Sequence, residues 1–160
     1  MSEPVKIDTI DAKILGILQD NADISIQGIA DAVGLTANPC WRRIKRLESE
    51  GVIERRVAVV NPTAVGLGMT SFVTIRTSQH DARWLERFAQ AIQDIPEILE
   101  CHRMSGDIDY LLKVVVADIG HYDRVYQRLI SAVAGLIDVT STFSMERLKH
   151  GTRLDLSTAS

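Results

Sequence analysis

The sequence predicts an α+β protein built in two parts, and three observations carry that prediction. Up to about residue 51 the apolar residues recur with helical period. Beyond that point apolar runs of strand length alternate with further helical stripes. Between the two lies NPTAVGLG, where Asn61-Pro62, Gly66 and Gly68 punctuate the chain. The expected organisation is a helical domain over 1-60, a hinge over 61-68 and a mixed domain over 69-160.

The helical part resolves into three short segments. Asp8 is placed to cap the first, with Asp11 in its first turn favourable against the helix dipole. Ile10, Ile14, Leu15, Ile17 and Leu18 form its apolar stripe, and QDNAD ends it. Ser25 is placed to cap a second helix that carries Ile26, Ile29, Ala30 and Val33 and stops at Gly34. Thr36 is expected to cap a third, which runs to about Glu50 and stops at Gly51. A tight glycine turn between the second and third helices makes a helix-turn-helix pattern. The extended segment VIERRVAVV follows as a small wing.

The second part opens with the strand MTSFVTIRTS. Asp81 to Asp94 has helical period, with Trp84, Leu85, Phe88 and Ile92 inward, and Pro96 closes it. ILECHRMS and DYLLKVVVA are strands joined at Gly106-Asp107, a hairpin turn. Ile119 to about Val133 is a helix, and DVTSTFSMERL is the last strand. The order strand-helix-strand-strand-helix-strand is that of a ferredoxin-like split βαβ unit. Its helices cover one sheet face, so the bare face is expected to be buried by dimerisation.

Composition narrows the function. Hydrophobic residues make up 46% of 160, enough for a packed core. MSEPVKIDTID has no apolar h-region, and no apolar run reaches the ~18 residues that span a bilayer, so a cytoplasmic protein without membrane contact is expected. Cys40 and Cys101 match no zinc or CxxC spacing, and two reduced thiols are expected; Cys101 reads as a small buried residue. His80, His102, His121 and His150 are scattered, and no HExxH, GxSxG, P-loop or GxGxxG occurs. No enzyme, cofactor or metal is indicated.

The stretch TANPCWRRIKRLESEGVI gathers four cations in a chain of net charge -3. At 100° per residue, Ala37, Cys40, Ile44 and Leu47 face inward, and Arg42 and Arg46 fall nearly opposite, with Asn38 beside Arg42. Arg43 and Lys45 flank the apolar stripe and Trp41 sits at its border. An exposed helix carrying Asn and Arg near its N-terminus suits base edges in the major groove of double-stranded DNA. Asn38 and Arg42 are therefore expected at base edges, with Thr36 and Trp41 among the DNA-binding residues. Arg43, Lys45, Arg46, Arg55 and Arg56 are expected at phosphates. The plain alternative is a solvated helix face with Glu48 and Glu50 as salt-bridge partners.

Taken together, IDTIDAKILGILQDNADIS, IADAVGLT, NPCWRRIKRLESEGVI, SGDIDYLLKV and GLIDVTSTFSMERLKH resemble the Lrp/AsnC (leucine-responsive, feast/famine) family of bacterial and archaeal transcription regulators. The resemblance runs from about Ile7 to Leu154. TANPCWRRIKRLE with VAVVNPTAVGLGMTSFV is most similar to the DecR-like branch, the cysteine-detoxification regulators. It implies an N-terminal winged helix-turn-helix and a C-terminal ligand domain that dimerises, with dimers assembling to octamers or higher. Amino-acid effectors bind between subunits near the hairpin that carries GDIDY here; cysteine, methionine and leucine are the candidates. One departure is Gly28, which stands where the family usually has an acidic residue three after the capping Ser25, so half of a capping box is missing.

An amino acid needs an acidic partner for its ammonium and amides or hydroxyls for its carboxylate. The loop supplies Asp107 and Asp109 for the first, and the backbone of Ser105, Gly106 and Asp107 for the second. Met104 and Tyr110 flank it, and Thr140 and Thr142 on the last strand add hydroxyls. Ordinary hairpin chemistry and ordinary strand residues account for the same pattern without a ligand. Two rivals to an effector-responsive regulator stay open: a DNA-compacting protein of low sequence selectivity, and an amino-acid-binding regulatory subunit.

Overall fold

The computed structural model describes residues 4–157. The chain divides into two compact units, Met1–Val59 with Lys149–Ser160, and Val60–Leu148.

In the first unit, α1 (Thr9–Asp20), α2 (Ile26–Val33) and α3 (Ala37–Ser49) pack around Ile14, Ile29, Ala30, Cys40 and Ile44. Each start has its own chemistry. The Asp8 carboxylate accepts from the Asp11 amide at 2.8 Å, and the Asp11 carboxylate accepts from the Asp8 amide at 3.1 Å, a complete capping box. Ser25 Oγ accepts from the Gly28 amide at 3.1 Å. A Cβ at Gly28 would stand 3.1 Å from Ile24 Cγ1, so a side chain there would press Ile24 aside by a few tenths of an ångström. Thr36 occupies the cap position of α3 without a side-chain cap bond, contrary to expectation. Gly34 ends α2 in the left-handed region at φ 74°, which glycine enters without strain. No ladder forms over residues 54–60, so the expected wing is a single extended segment.

The C-terminal segment packs with the helical unit from Lys149, where the sequence places it after the mixed domain's last strand. The Gln19 amide pairs in both directions with the backbone of Leu154, accepting from its N–H at 2.7 Å and donating to its C=O at 3.3 Å. Arg153 pairs with Asp20. Leu154 and Leu156 line a groove of about 920 Å³ with Val5, Ile7, Leu15 and Leu18.

The second unit opens with a short 3₁₀ turn (Thr63–Val65), then β1 (Met69–Thr77), α4 (Ala82–Gln93), β2 (Ile98–Arg103), β3 (Tyr110–Val116), α5 (Ile119–Ala132) and β4 (Leu136–Phe143). The strands form one antiparallel sheet in the order β2-β3-β1-β4, the expected split βαβ. β4 starts two residues before the expected segment, and Ser144 to Leu148 lie outside it. Alternation assigns the faces. Val73, Ile75, Leu112 and Val114 point to the helices, where Trp84, Phe88, Tyr122, Val125 and Leu129 meet them. Trp84 stacks on Phe88 at 5.0 Å, and its Nε1–H donates to the Ala134 carbonyl. Leu85, expected inside, is 40% exposed, and Ala91 takes its place in the core. Cys101 is exposed on the edge strand β2, contrary to its expected burial. The opposite sheet face carries Phe72, Thr74, Leu111 and Lys113 without any covering element among the described residues.

Gln19→Ala removes both bonds to Leu154 and should loosen the helical unit by about 1–2 kcal/mol. Hydrogen exchange on the full chain should then quicken in α1 and stay unchanged in α4 and α5. Unchanged protection of α1 would show that the tail contributes nothing to the unit.

Candidate functional site

The third helix presents the candidate nucleic-acid face, and burial sorts its residues. Cys40, Ile44 and Leu47 are buried. Asn38, Trp41 and Arg42 are exposed, Trp41 at 48%. Thr36 is exposed just ahead of them.

The cations divide in a way the helical wheel does not show. Asp11 lies under α3 with its side chain 2% exposed. Arg43 Nη1 donates to it at 2.8 Å and Arg46 Nη2 at 2.5 Å. Arg43 also donates to Asp8 at 2.6 Å. The Asp11 amide, and after it the Arg43 guanidinium, hold the Asp8 carboxyl below its usual range. Asp11 and Asp8 in turn push the Arg43 guanidinium further up. Lys45 reaches Glu48 at 2.7 Å, and Arg56 reaches the same carboxylate at 3.0 Å. Arg42 and Arg55 have no carboxylate within ion-pair distance among the described residues.

The expected phosphate set is therefore largely paired within the chain. Arg46 was expected opposite the apolar stripe, in solvent beside Arg42; it folds back to Asp11 instead. The long guanidinium stem spans the angle that the wheel assigns to its Cα. Of the anions responsible, the sequence marks Asp8 as a helix cap and Asp11 as a first-turn charge suited to the helix dipole. Their spacing of three at a helix start was legible, but their contact across 32 and 35 residues was not.

In the second unit the loop from Met104 to Asp109 joins β2 to β3. Its base is fixed by Asp109. The Asp109 amide donates to the Ile75 carbonyl, its carbonyl accepts from the Met104 amide, and its carboxylate accepts from the Thr77 amide, each at 2.8 Å. Asp109 thus ties the loop to the end of β1. Ser105, Gly106 and Asp107 stand exposed at the tip, and Met104 is 38% exposed. Gly106 has φ 120°, and the space around its Cβ position is open to 4 Å. Tyr110 is a core residue, 4.4 Å from the Phe88 ring, with burial raising its phenol. Thr140 and Thr142 lie on β4 at register with Thr74 and Phe72, and the Thr140 hydroxyl donates to Asp138 at 3.0 Å. β1 separates β4 from β3, so loop and hydroxyls do not converge within one chain.

A helix-turn-helix with an open recognition face, joined to a ferredoxin-like unit with an exposed loop, defines a DNA-binding regulator with a ligand domain. Comparison with known proteins places it further. Residues 7–54 match the winged helix-turn-helix DNA-binding model, and residues 70–154 match the Lrp/AsnC ligand binding domain. The chain belongs to the Lrp/AsnC family of transcriptional regulators. It is 46% identical over 150 residues to the DNA-binding transcriptional activator DecR of Escherichia coli (strain K12), covering 94% of this chain and 99% of that one. It is 49% identical over 151 residues to the glutamate uptake regulatory protein of Zymomonas mobilis, covering 94% and 92%. A transcriptional regulator from Neisseria meningitidis, solved as a complex with L-Met, superposes with TM-score 0.88 at 30% identity over 95% of this chain and 98% of that one.

Asp11→Ala should lower stability by on the order of 2–3 kcal/mol, since it removes two charged hydrogen bonds and half the capping box together. Urea unfolding reads this directly; an unshifted midpoint would mean the cluster carries no net stability.

Proposed function

We propose that the chain is a cytoplasmic, non-enzymatic, homo-oligomeric regulator that reads double-stranded DNA with α3 and responds to a free amino acid at the Met104–Asp109 loop. The observation that carries the DNA reading is Arg42, exposed on α3 beside Asn38 and without an acidic partner among the described residues. A free guanidinium forks onto guanine, and the Asn38 amide matches adenine. Asn38, Trp41 and Arg42 are the base-side set, Thr36 and Arg55 lie at the backbone, and Lys45 and Arg56 reach it by leaving Glu48.

Internal pairing also favours sequence reading over compaction. Sequence-independent binding draws on free positive charge, and most of this helix's charge is neutralised within the chain. The first unit's cationic helix face suits a polyanion.

For the effector, support comes from the ligand-domain match and from the neighbour complexed with L-Met. Asp107 is the ammonium partner in this reading, because Asp109 is spent on Thr77 and Ile75. Backbone amides at Ser105 and Gly106 receive the carboxylate. Cysteine, methionine and leucine remain the effectors to test, and the glutamate-named relative adds a fourth. The open sheet face with Phe72 and Leu111 is the surface through which two copies pair. A second copy can bring its β4 hydroxyls, Thr140 and Thr142, to the loop.

Arg42→Ala should cost about 1–3 kcal/mol and relax preference at one base position in a selection from random duplexes. Uniform weakening with an unchanged preference would make Arg42 a phosphate contact. Asp107→Ala should abolish the effect of the amino acid on DNA binding and leave effector-free affinity as it was. A retained response would move the ammonium site elsewhere.

A further inference from the structure

We infer that Asp8 sets DNA affinity as an exchangeable counterion: it occupies Arg43 in the free protein and yields that guanidinium to a DNA phosphate on binding. This rests on the reading of α3 as the DNA face.

Arg43 touches two carboxylates of very different standing. Asp11 is 2% exposed and shares its oxygens between Arg43 and Arg46. Asp8 is 53% exposed. A buried carboxylate that loses its cation is left unsolvated, so Asp11 keeps its arginines. An exposed carboxylate recovers water, so the Asp8 pair is weak and can be exchanged. Arg43 itself is 30% exposed and held on the flank of α3 by Asp11. A phosphate arriving at that flank finds the guanidinium already placed and has one solvated competitor to displace. Asp8 and Asp11 take the two hydrogens of Arg43 Nη1, so a phosphate seated at Nη1 takes the hydrogen that Asp8 gives up. Arg46 differs in that only the buried Asp11 meets it at hydrogen-bond distance, the exposed Glu50 standing off at 3.8 Å.

The two oxygens of Asp8 divide its work. Oδ1 accepts from the Asp11 amide as the helix cap, and Oδ2 takes Arg43. Asn caps as well as Asp does, so Asp8→Asn removes the charge and keeps the cap. Asp8→Ser does the same with a shorter side chain.

The exchange has a signature in salt dependence. In the wild type, freeing Asp8 lets it gather a cation, which offsets the counterion released when Arg43 meets the phosphate. Without Asp8 the release is uncompensated. The log–log slope of affinity against salt should then steepen, by at most about 0.9, the full value of one phosphate contact.

The experiment is fluorescence anisotropy of the full-length protein on a duplex selected by the wild type, from about 50 to about 200 mM salt. Asp8→Asn and Asp8→Ser should bind several-fold tighter at low salt, with the steeper slope and a melting curve lowered only slightly, as loss of one half-exposed ion pair requires. In an Arg43→Ala background neither substitution should change the slope. Wild-type slope and affinity in both Asp8 variants would overturn the proposal. An equal gain in the Arg43→Ala background would overturn it as well, because it would mark simple removal of a nearby negative charge. Failure of the wild type to select any duplex would sink the DNA reading of α3 and this proposal together, which separates that failure from the other two.

Discussion

The DNA-binding unit is organised around one buried carboxylate. Asp11 is the charged side chain found among the buried polar residues, which otherwise comprise Ser71 and Thr77. A carboxylate enters an interior only when it is paired and hydrogen-bonded. Asp11 meets that condition with the Asp8 amide, Arg43 and Arg46. The same atoms therefore cap α1, set α1 against α3, and decide which arginines of α3 are free. Sequence position alone makes WRRIKR a cationic patch. Asp11, Asp8 and Glu48 reduce it to a narrower feature in which Arg42 stands out. That reduction favours reading bases over gripping any polyanion.

The ligand unit follows a different constraint. An open four-stranded sheet buries one face under two helices and leaves the other to find cover. Within one chain the loop on β3 and the hydroxyls on β4 are kept apart by β1. The loop is not a floppy hairpin, because Asp109 binds the end of β1 through its backbone and its carboxylate. Its tip, with Gly106 at positive φ and Asp107 unburdened, is presented on a fixed base. A rigid base with an open tip suits ligand capture, since little order is lost when the ligand arrives.

Much of this was legible in the sequence because local rules govern it. Asp8, Ser25 and Asp81 announce helix starts, Gly34 a stop, and the strand-helix order fixes the topology. What was not legible depends on long side chains and distant segments. Arg46 turns back across 35 residues to Asp11, an event that a wheel of Cα positions omits. The tail around Leu154 has no periodicity to mark it, and its pairings with Gln19 and Asp20 show where it belongs. Cys101 has inward parity but sits on an edge strand, where parity does not secure burial. Asp109 looks like a ligand group in the sequence and is a backbone staple in the fold. The candidate residues were visible; which of them were already engaged was not.

The most direct test of the account is anisotropy of the full-length protein on a selected duplex and its scrambled counterpart at about 150 mM salt, with cysteine, methionine, leucine and glutamate added in turn. The account predicts strong preference for the selected duplex and a shift in affinity with one of these amino acids. Equal binding to both duplexes, indifferent to all four, would contradict it.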